Sequence, residues 1–142
     1  MEEIGIKNCR IIELPVIGNQ KQGFLSFGEV EKQIPFNIKR IYYIYGIGDL
    51  DTVRGKHAHK ELEQVIFCLN GSFTFVLEDG IKKIKKKMSF PNIGIYIGPN
   101  VWHEMKDFSK DVVILSITSD YYNENDYIRE YNIFKESVKE VI

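Results

Sequence analysis

Two cysteines in 142 residues are too few for a disulfide framework. Cys68 sits inside the apolar run from Gln64 to Leu69, where a small thiol packs well, so Cys9 and Cys68 are both read as reduced and structural. An excess of either charge is missing too. The 19 basic residues nearly balance 20 acidic ones, for a formal net charge of -1, which excludes a broad electrostatic footprint for nucleic acid or an anionic membrane. Any anion site must be local. Long apolar runs are also lacking, since none approaches the ~18 residues needed to span a bilayer. The first seven residues carry two acids and no apolar signal core. A cytoplasmic protein with no nucleic-acid or membrane partner is expected. With no repeat, low-complexity stretch or linker, one domain is expected over residues 1–142, long enough to bury about two-thirds of its unfolded surface.

What is present is a series of short β-rich runs separated by turn chemistry. Ile38 to Tyr45 ends in Gly46-Ile47-Gly48-Asp49 and reads as a strand entering a loop. Gln64 to Leu69 and Ser72 to Glu78 flank Asn70-Gly71, a pair that supplies the positive φ angles of a tight turn, and a β-hairpin is expected there. Asp79-Gly80 leads into Ile81 to Met88, whose five lysines fit a solvated edge strand better than a phosphate patch. Ile93 to Ile97 and Val112 to Thr118 complete the series, and Cys9 to Pro15 and Gly23 to Val30 are earlier strand candidates. So many short strands suggest a barrel or sandwich. After Asp120 the period changes: Ile128, Tyr131, Phe134, Val138 and Val141 recur at three or four residues, predicting an amphipathic helix over about 124–141 packed on a barrel of about 1–120.

The chemistry concentrates in Arg54-Gly55-Lys56-His57-Ala58-His59-Lys60, which holds two of the three histidines at alternate positions. On a strand both imidazoles face one way. Such a pair can bind a metal. Metal-binding cupins resemble this segment, but their pattern wants a carboxylate where Gln64 stands, and His103 comes one residue sooner than their third histidine. A neutral amide is a poor ligand for a divalent ion, so no metal is expected. Without one, two imidazoles with reference pKa near 6.5 suit proton transfer, one as base and one as acid or shuttle. A solitary histidine usually has no chemical role, but two on one face between Arg54 and Lys60 argue otherwise. Arg54 and Lys60 supply a local positive field for phosphate oxygens. Among the aromatic residues, 13% of the chain, Tyr43 and Trp102 are the candidates for facing the same cavity, to stack on a base or hydrogen-bond a sugar.

Several ordered motifs together resemble the dTDP-sugar 3,4-ketoisomerase family of small cupins. They are Pro-Phe-Asn-Ile-Lys-Arg-Ile-Tyr-Tyr-Ile from Pro35, Arg-Gly-Lys-His-Ala-His-Lys from Arg54, Leu-Glu-Gln-Val from Leu62, Leu-Asn-Gly-Ser from Leu69, Gly-Pro-Asn-Val-Trp-His-Glu-Met from Gly98 and Ser-Asp-Tyr-Tyr from Ser119. The resemblance implies an all-β cupin-type jelly-roll barrel with a C-terminal helix, no cofactor, and a homodimer with exchanged N-terminal strands. The implied substrate is a dTDP-linked 4-keto-6-deoxy sugar, on the route to 3-amino-3,6-dideoxy sugars of bacterial glycans such as O-antigen lipopolysaccharide. It implies that His57 takes the C3 proton, that His59 relays a proton or polarises the sugar oxygens, and that Tyr43 helps hold an enediolate. Arg54, Lys60 and Arg40 would hold the diphosphate, Gln64 would hydrogen-bond the sugar, and Trp102 and His103 would border it. Lys56 and Gln22 depart from the residues that family members often carry. A cupin epimerase, a non-enzymatic sugar-binding cupin and a metal-dependent cupin are the rivals. Two histidines on one strand face suit transfer between adjacent carbons better than inversion at one carbon.

Overall fold

The computed structural model describes residues 2–139. Its strands are β1 (Glu2–Glu3), β2 (Cys9–Glu13), β3 (Val16–Asn19), β4 (Gly23–Ser26), β5 (Arg40–Ile44), β6 (Arg54–His59) and β7 (Gln64–Asn70), then β8 (Phe73–Glu78), β9 (Lys83–Met88), β10 (Ile93–Ile97), β11 (Trp102–Lys106), β12 (Val113–Thr118) and β13 (Tyr127–Ile128). A helix, α1 (Tyr131–Lys139), follows.

Eleven of these strands form two facing sheets, ordered β1-β2-β10-β7-β12-β5 and β13-β6-β11-β8-β9, and β3 and β4 pair as a separate two-stranded sheet. From β5 to β12 the chain sends β5, β7, β10 and β12 to the first sheet and β6, β8, β9 and β11 to the second, which is a jelly-roll sandwich rather than a closed barrel. The expected hairpin at Asn70-Gly71 is therefore corrected. The turn is real, since Gly71 has φ 70°, but it carries the chain from one sheet to the other. Serine 109 explains the glycine, because a Cβ there would lie 2.2 Å from the Ser109 hydroxyl. The Asp79-Gly80 turn does join paired strands, β8 and β9, and the lysine-rich β9 ends its sheet as an edge should.

Alternation along the strands divides three apolar clusters. Between the sheets lie Ile66, Cys68, Phe73, Phe75, Leu77, Ile95, Met105 and Ile114. Outside the first sheet, Val65, Phe67 and Tyr96 are covered by Ile34 and Phe36. Outside the second, Ala58 and Trp102 pack under Ile128, Phe134 and Val138. The C-terminal helix thus packs as expected, but it begins at Tyr131, not near Glu124. Asn123 caps a 3-10 turn over Glu124–Asp126, after which Tyr127 and Ile128 pair with His59 and Ala58. Val141, assigned to the same helix, lies outside the described residues.

Candidate active site

Strand β6 departs from regular pairing where the chemistry is richest. Opposite β11, His57 pairs with His103, Gly55 with Glu104 and Arg54 with Met105, leaving Lys56 as an extra residue. Gly55 and Lys56 both have positive φ, 87° and 55°. This bulge restores the phase of the strand: paired residues share a side, so Arg54 joins His57 and His103 on the inner face although it lies three positions from His57.

The three histidines meet inside the sandwich. Ring centroids are 4.9 Å apart for His57 and His59, 4.6 Å for His57 and His103, and 5.9 Å for His59 and His103. Each Nδ1 faces an acceptor: the Gly55 carbonyl at 2.9 Å from His57, Asp126 Oδ2 at 3.1 Å from His59, and the Val101 carbonyl at 3.1 Å from His103. A carbonyl or an ionised carboxylate can only accept, so each Nδ1 carries the hydrogen and each Nε2 keeps its lone pair. Burial pushes the His57 pKa down to about 4, helped by neighbouring His59. Burial lowers His59 as well, against the pull of Asp126, and holds His103 far below the ordinary range, reinforced by the other two rings. The trio is therefore neutral at pH 7.

Gln64, 1% exposed, forms the polar floor. Its Oε1 accepts from Tyr42 at 3.4 Å and Ser116 at 3.3 Å, and its amide nitrogen lies 3.3 Å from His103 Nε2, to which it donates. One ring nitrogen from each histidine lies within 4.8 Å of the others, and neutral imidazoles with anchored far nitrogens are suitable ligands for a soft divalent ion. Gln64 does not complete such a set, because it turns an N–H toward the third imidazole where a ligand would turn a lone pair.

Residues 119–129 close one side of the pocket. Tyr127 lies 4.8 Å from the His57 ring and 4.4 Å from His59, with the Arg129 guanidinium over the Tyr127 ring, 4.2 Å from its centroid, and paired to Glu124. Beside His59 is a cavity of about 300 Å³ lined by Arg40, Glu61, Glu63, Ser119, Tyr121 and Tyr127, among others. Arg40 reaches Thr118 Oγ1 at 3.4 Å and stands over the rings of Tyr42 and Tyr122.

The structure thus gathers His57, His59, His103 and Gln64, with Arg40 and Arg54 toward the edge. Three expected residues fall elsewhere. Tyr43 is 60% exposed on the outer face of β5 and stacks on Tyr45, whereas its neighbour Tyr42 faces Gln64. Trp102 points away from His103, packs on Tyr131 and Phe134, and donates to Glu104 at 2.9 Å. Both follow from strand alternation, since adjacent residues cannot share a face. Lys60 is exposed just past β6 and lines no part of the cavity beside His59. Asp126 and Tyr127 escape the sequence reading because the expected helix over about 124–141 spans them. The run Asn123-Glu124-Asn125-Asp126 is turn chemistry, and that signal marks a loop there.

A jelly roll whose interior holds buried, neutral imidazoles defines a small cupin with a polar pocket for proton chemistry. The chain belongs to the family described as FdtA: WxcM-like, C-terminal, whose sequence model matches residues 7–139. It is 48% identical over 120 residues, 84% of this chain and 86% of the other, to the TDP-4-oxo-6-deoxy-alpha-D-glucose-3,4-oxoisomerase of Aneurinibacillus thermoaerophilus. A histidine-to-asparagine variant of the 3,4-ketoisomerase QdtA from Thermoanaerobacterium thermosaccharolyticum, solved with TDP-4-keto-6-deoxyglucose, superposes with TM-score 0.91 at 40% identity, covering 95% of this chain and 96% of that one. The WlaRB TDP-quinovose 3,4-ketoisomerase from Campylobacter jejuni gives 0.87 at 44% identity, covering 92% and 99%.

Proposed function

We propose that this protein is a sugar-nucleotide 3,4-ketoisomerase that converts TDP-4-keto-6-deoxyglucose to a 3-keto-6-deoxy hexose. The observation that carries the reading is the trio of neutral imidazoles, each anchored through Nδ1 inside one pocket, in a chain 48% identical to an oxoisomerase of that substrate. Moving the carbonyl from C4 to C3 requires removal of the C3 proton, an enediol, return of a proton to C4, and transfer of the oxygen-bound proton. Neutral His57 presents an Nε2 lone pair and serves as the C3 base. His59, beside it on the same face, relays the proton between the oxygens or back to carbon. Gln64 supplies its second amide hydrogen for a sugar oxygen, while Tyr42 and His103 hold the two ends of the amide in place. Tyr127 forms an apolar wall that keeps water from the enediol, and Arg40 with Arg54 at the edge hold the diphosphate.

No step needs a metal. The reading extends to a cytoplasmic enzyme that assembles as a homodimer through exchanged N-terminal strands. Support for the dimer comes from the β3–β4 hairpin, all eight of whose residues are exposed, with Val16, Ile17, Phe24 and Leu25 each more than half so. Replacing Ile17 and Phe24 together by aspartate should shift the sedimenting species from dimer to monomer.

The deciding experiment incubates the protein with TDP-4-keto-6-deoxyglucose in deuterated buffer, with and without EDTA, and follows the sugar by NMR. A 3-keto product that forms equally in EDTA, and is lost in His57→Asn, is the expected result. Absence of that product, or deuterium entry with inversion at C3 or C5, would overturn the reading.

A further inference from the structure

We propose that Asp126 is the positioning residue that sets the tautomer of His59, so that proton relay depends on a carboxylate delivered by the C-terminal loop. The inference rests on the isomerase reading for its kinetic part only.

The Asp126 carboxylate is 15% exposed and every contact it makes is with a donor. Oδ2 lies 3.1 Å from His59 Nδ1 and accepts from the Leu62 backbone at 3.2 Å, while Oδ1 accepts from the Glu61 backbone at 2.8 Å. The Asp126 carbonyl accepts from Lys60 N at 2.9 Å, and the next residue pairs with His59 across β13. The carboxylate is thus fixed by two backbone donors from the segment that leaves β6, and its remaining acceptor capacity points at one ring nitrogen. An acceptor there obliges His59 to carry its hydrogen on Nδ1. The Nε2 lone pair then remains available for the relay.

Among the described residues, nothing else near this ring supplies such an instruction. The neighbours of His59 are the rings of His57, His103 and Tyr127, which give shape without choosing a tautomer. His57 and His103 differ in kind, because backbone carbonyls two residues away orient their Nδ1 atoms and no side-chain substitution can remove them. His59 alone in the trio takes its orientation from a side chain 67 residues distant.

An asparagine at 126 cannot reproduce the pattern. With its NH2 in place of Oδ2 it presents a donor to His59 Nδ1, which must then accept, moving the ring hydrogen to Nε2. With its NH2 in place of Oδ1 it opposes the shorter bond from Glu61. Each arrangement keeps one bond to the ring, and the first, which reverses it, gives up only the longer backbone bond, from Leu62.

The test is ¹⁵N NMR of the histidine rings in the substrate-free protein, with steady-state kinetics, for wild type, Asp126→Asn and Tyr131→Phe. The last loosens the seating of the helix that follows the loop by removing its bond to Glu78, outside the pocket and away from His59. The expected result is an Nδ1–H His59 in wild type and Tyr131→Phe, and an Nε2–H His59 in Asp126→Asn. The asparagine variant should lose roughly 10- to 100-fold in kcat with KM changed less than threefold, the order found when the outer partner that orients a metal-bound imidazole is removed. An Nδ1–H ring in folded Asp126→Asn, an equal kcat loss in Tyr131→Phe, or an unchanged kcat would overturn the inference. If wild type does not isomerise the sugar, the isomerase reading fails, yet the NMR comparison still decides whether Asp126 sets the tautomer.

Discussion

The two halves of the sandwich interior are built from the same strands and differ completely in chemistry. On β12 the inward row reads Ile114, Ser116, Thr118, and on β7 it reads Cys68, Ile66, Gln64, so each strand runs from apolar to polar along one face. At the apolar end the row meets Phe73, Phe75, Leu77 and Met105, which stabilise the fold by burial alone. At the polar end it meets three histidines, and burial there costs free energy unless each group is neutral or hydrogen-bonded. Anchored Nδ1 atoms and a double-accepting Gln64 meet that requirement. One half of the interior holds the protein together, and the other is tolerated because the first half is well packed.

This contrast breaks most visibly under paired substitutions. His57→Asn should lower the rate by ~10² to 10⁴ while leaving the denaturation midpoint nearly unchanged. Phe75→Ala, in the apolar half, should cost about 3–5 kcal/mol in chemical denaturation, and whatever protein remains folded should keep its pocket. A large stability loss in the histidine variant would erase the distinction.

Acid sharpens it next. His57 titrates at about 4 in the folded protein, below the ordinary value near 6.5, so between those values the unfolded chain binds more protons. Stability from this group is therefore complete above pH 6.5 and falls as pH drops toward 4. Urea midpoints should report a loss of roughly 2 kcal/mol from pH 7.5 to pH 5, a loss that shrinks in His57→Asn. For the same reason the acid limb of kcat/KM should lie well below pH 6.5.

Smaller effects separate the two faces of single strands. Tyr42→Phe removes a hydroxyl from the Gln64 floor and should lower kcat/KM about tenfold, the equivalent of one net hydrogen bond, whereas Tyr43→Phe should change it less than twofold. Trp102→Phe should lower stability by about 1 kcal/mol in a thermal melt and leave kcat within twofold, because the indole packs under α1 and not in the pocket.

The parity of these strands explains which parts of the sequence were legible. A barrel or sandwich of short strands, the edge position of β9 and the shared face of His57 and His59 all follow from turn residues and from period-two spacing in short segments, whereas the jelly roll itself is implied only by the family resemblance of the ordered motifs. Tyr43 and Trp102 were each one residue from the inward position, an error that alternation permits when the pairing register is unknown. Asn70-Gly71 announces a turn but not whether the next strand pairs with the last, since a jelly roll uses the same turn chemistry to cross between sheets. His103 could be oriented only through its pairing with His57. The bulge at Lys56 carries Arg54 inward, and a lone Gly55 in the strand hints at it without specifying the register. Asp126 and Tyr127 were hidden because apolar spacing at three and four ran unbroken from a two-residue strand into the helix.

The loop and helix over 119–139 also set an order in time. They supply Asp126, Tyr127 and the cover over Trp102, and they are the last described residues to leave the ribosome. Once residue 118 has emerged, β5 can pair with β12 while the histidines still lack both a wall and a carboxylate. In order of emergence the partners of the scaffold therefore precede those of the pocket, and the active site is the later of the two to be completed.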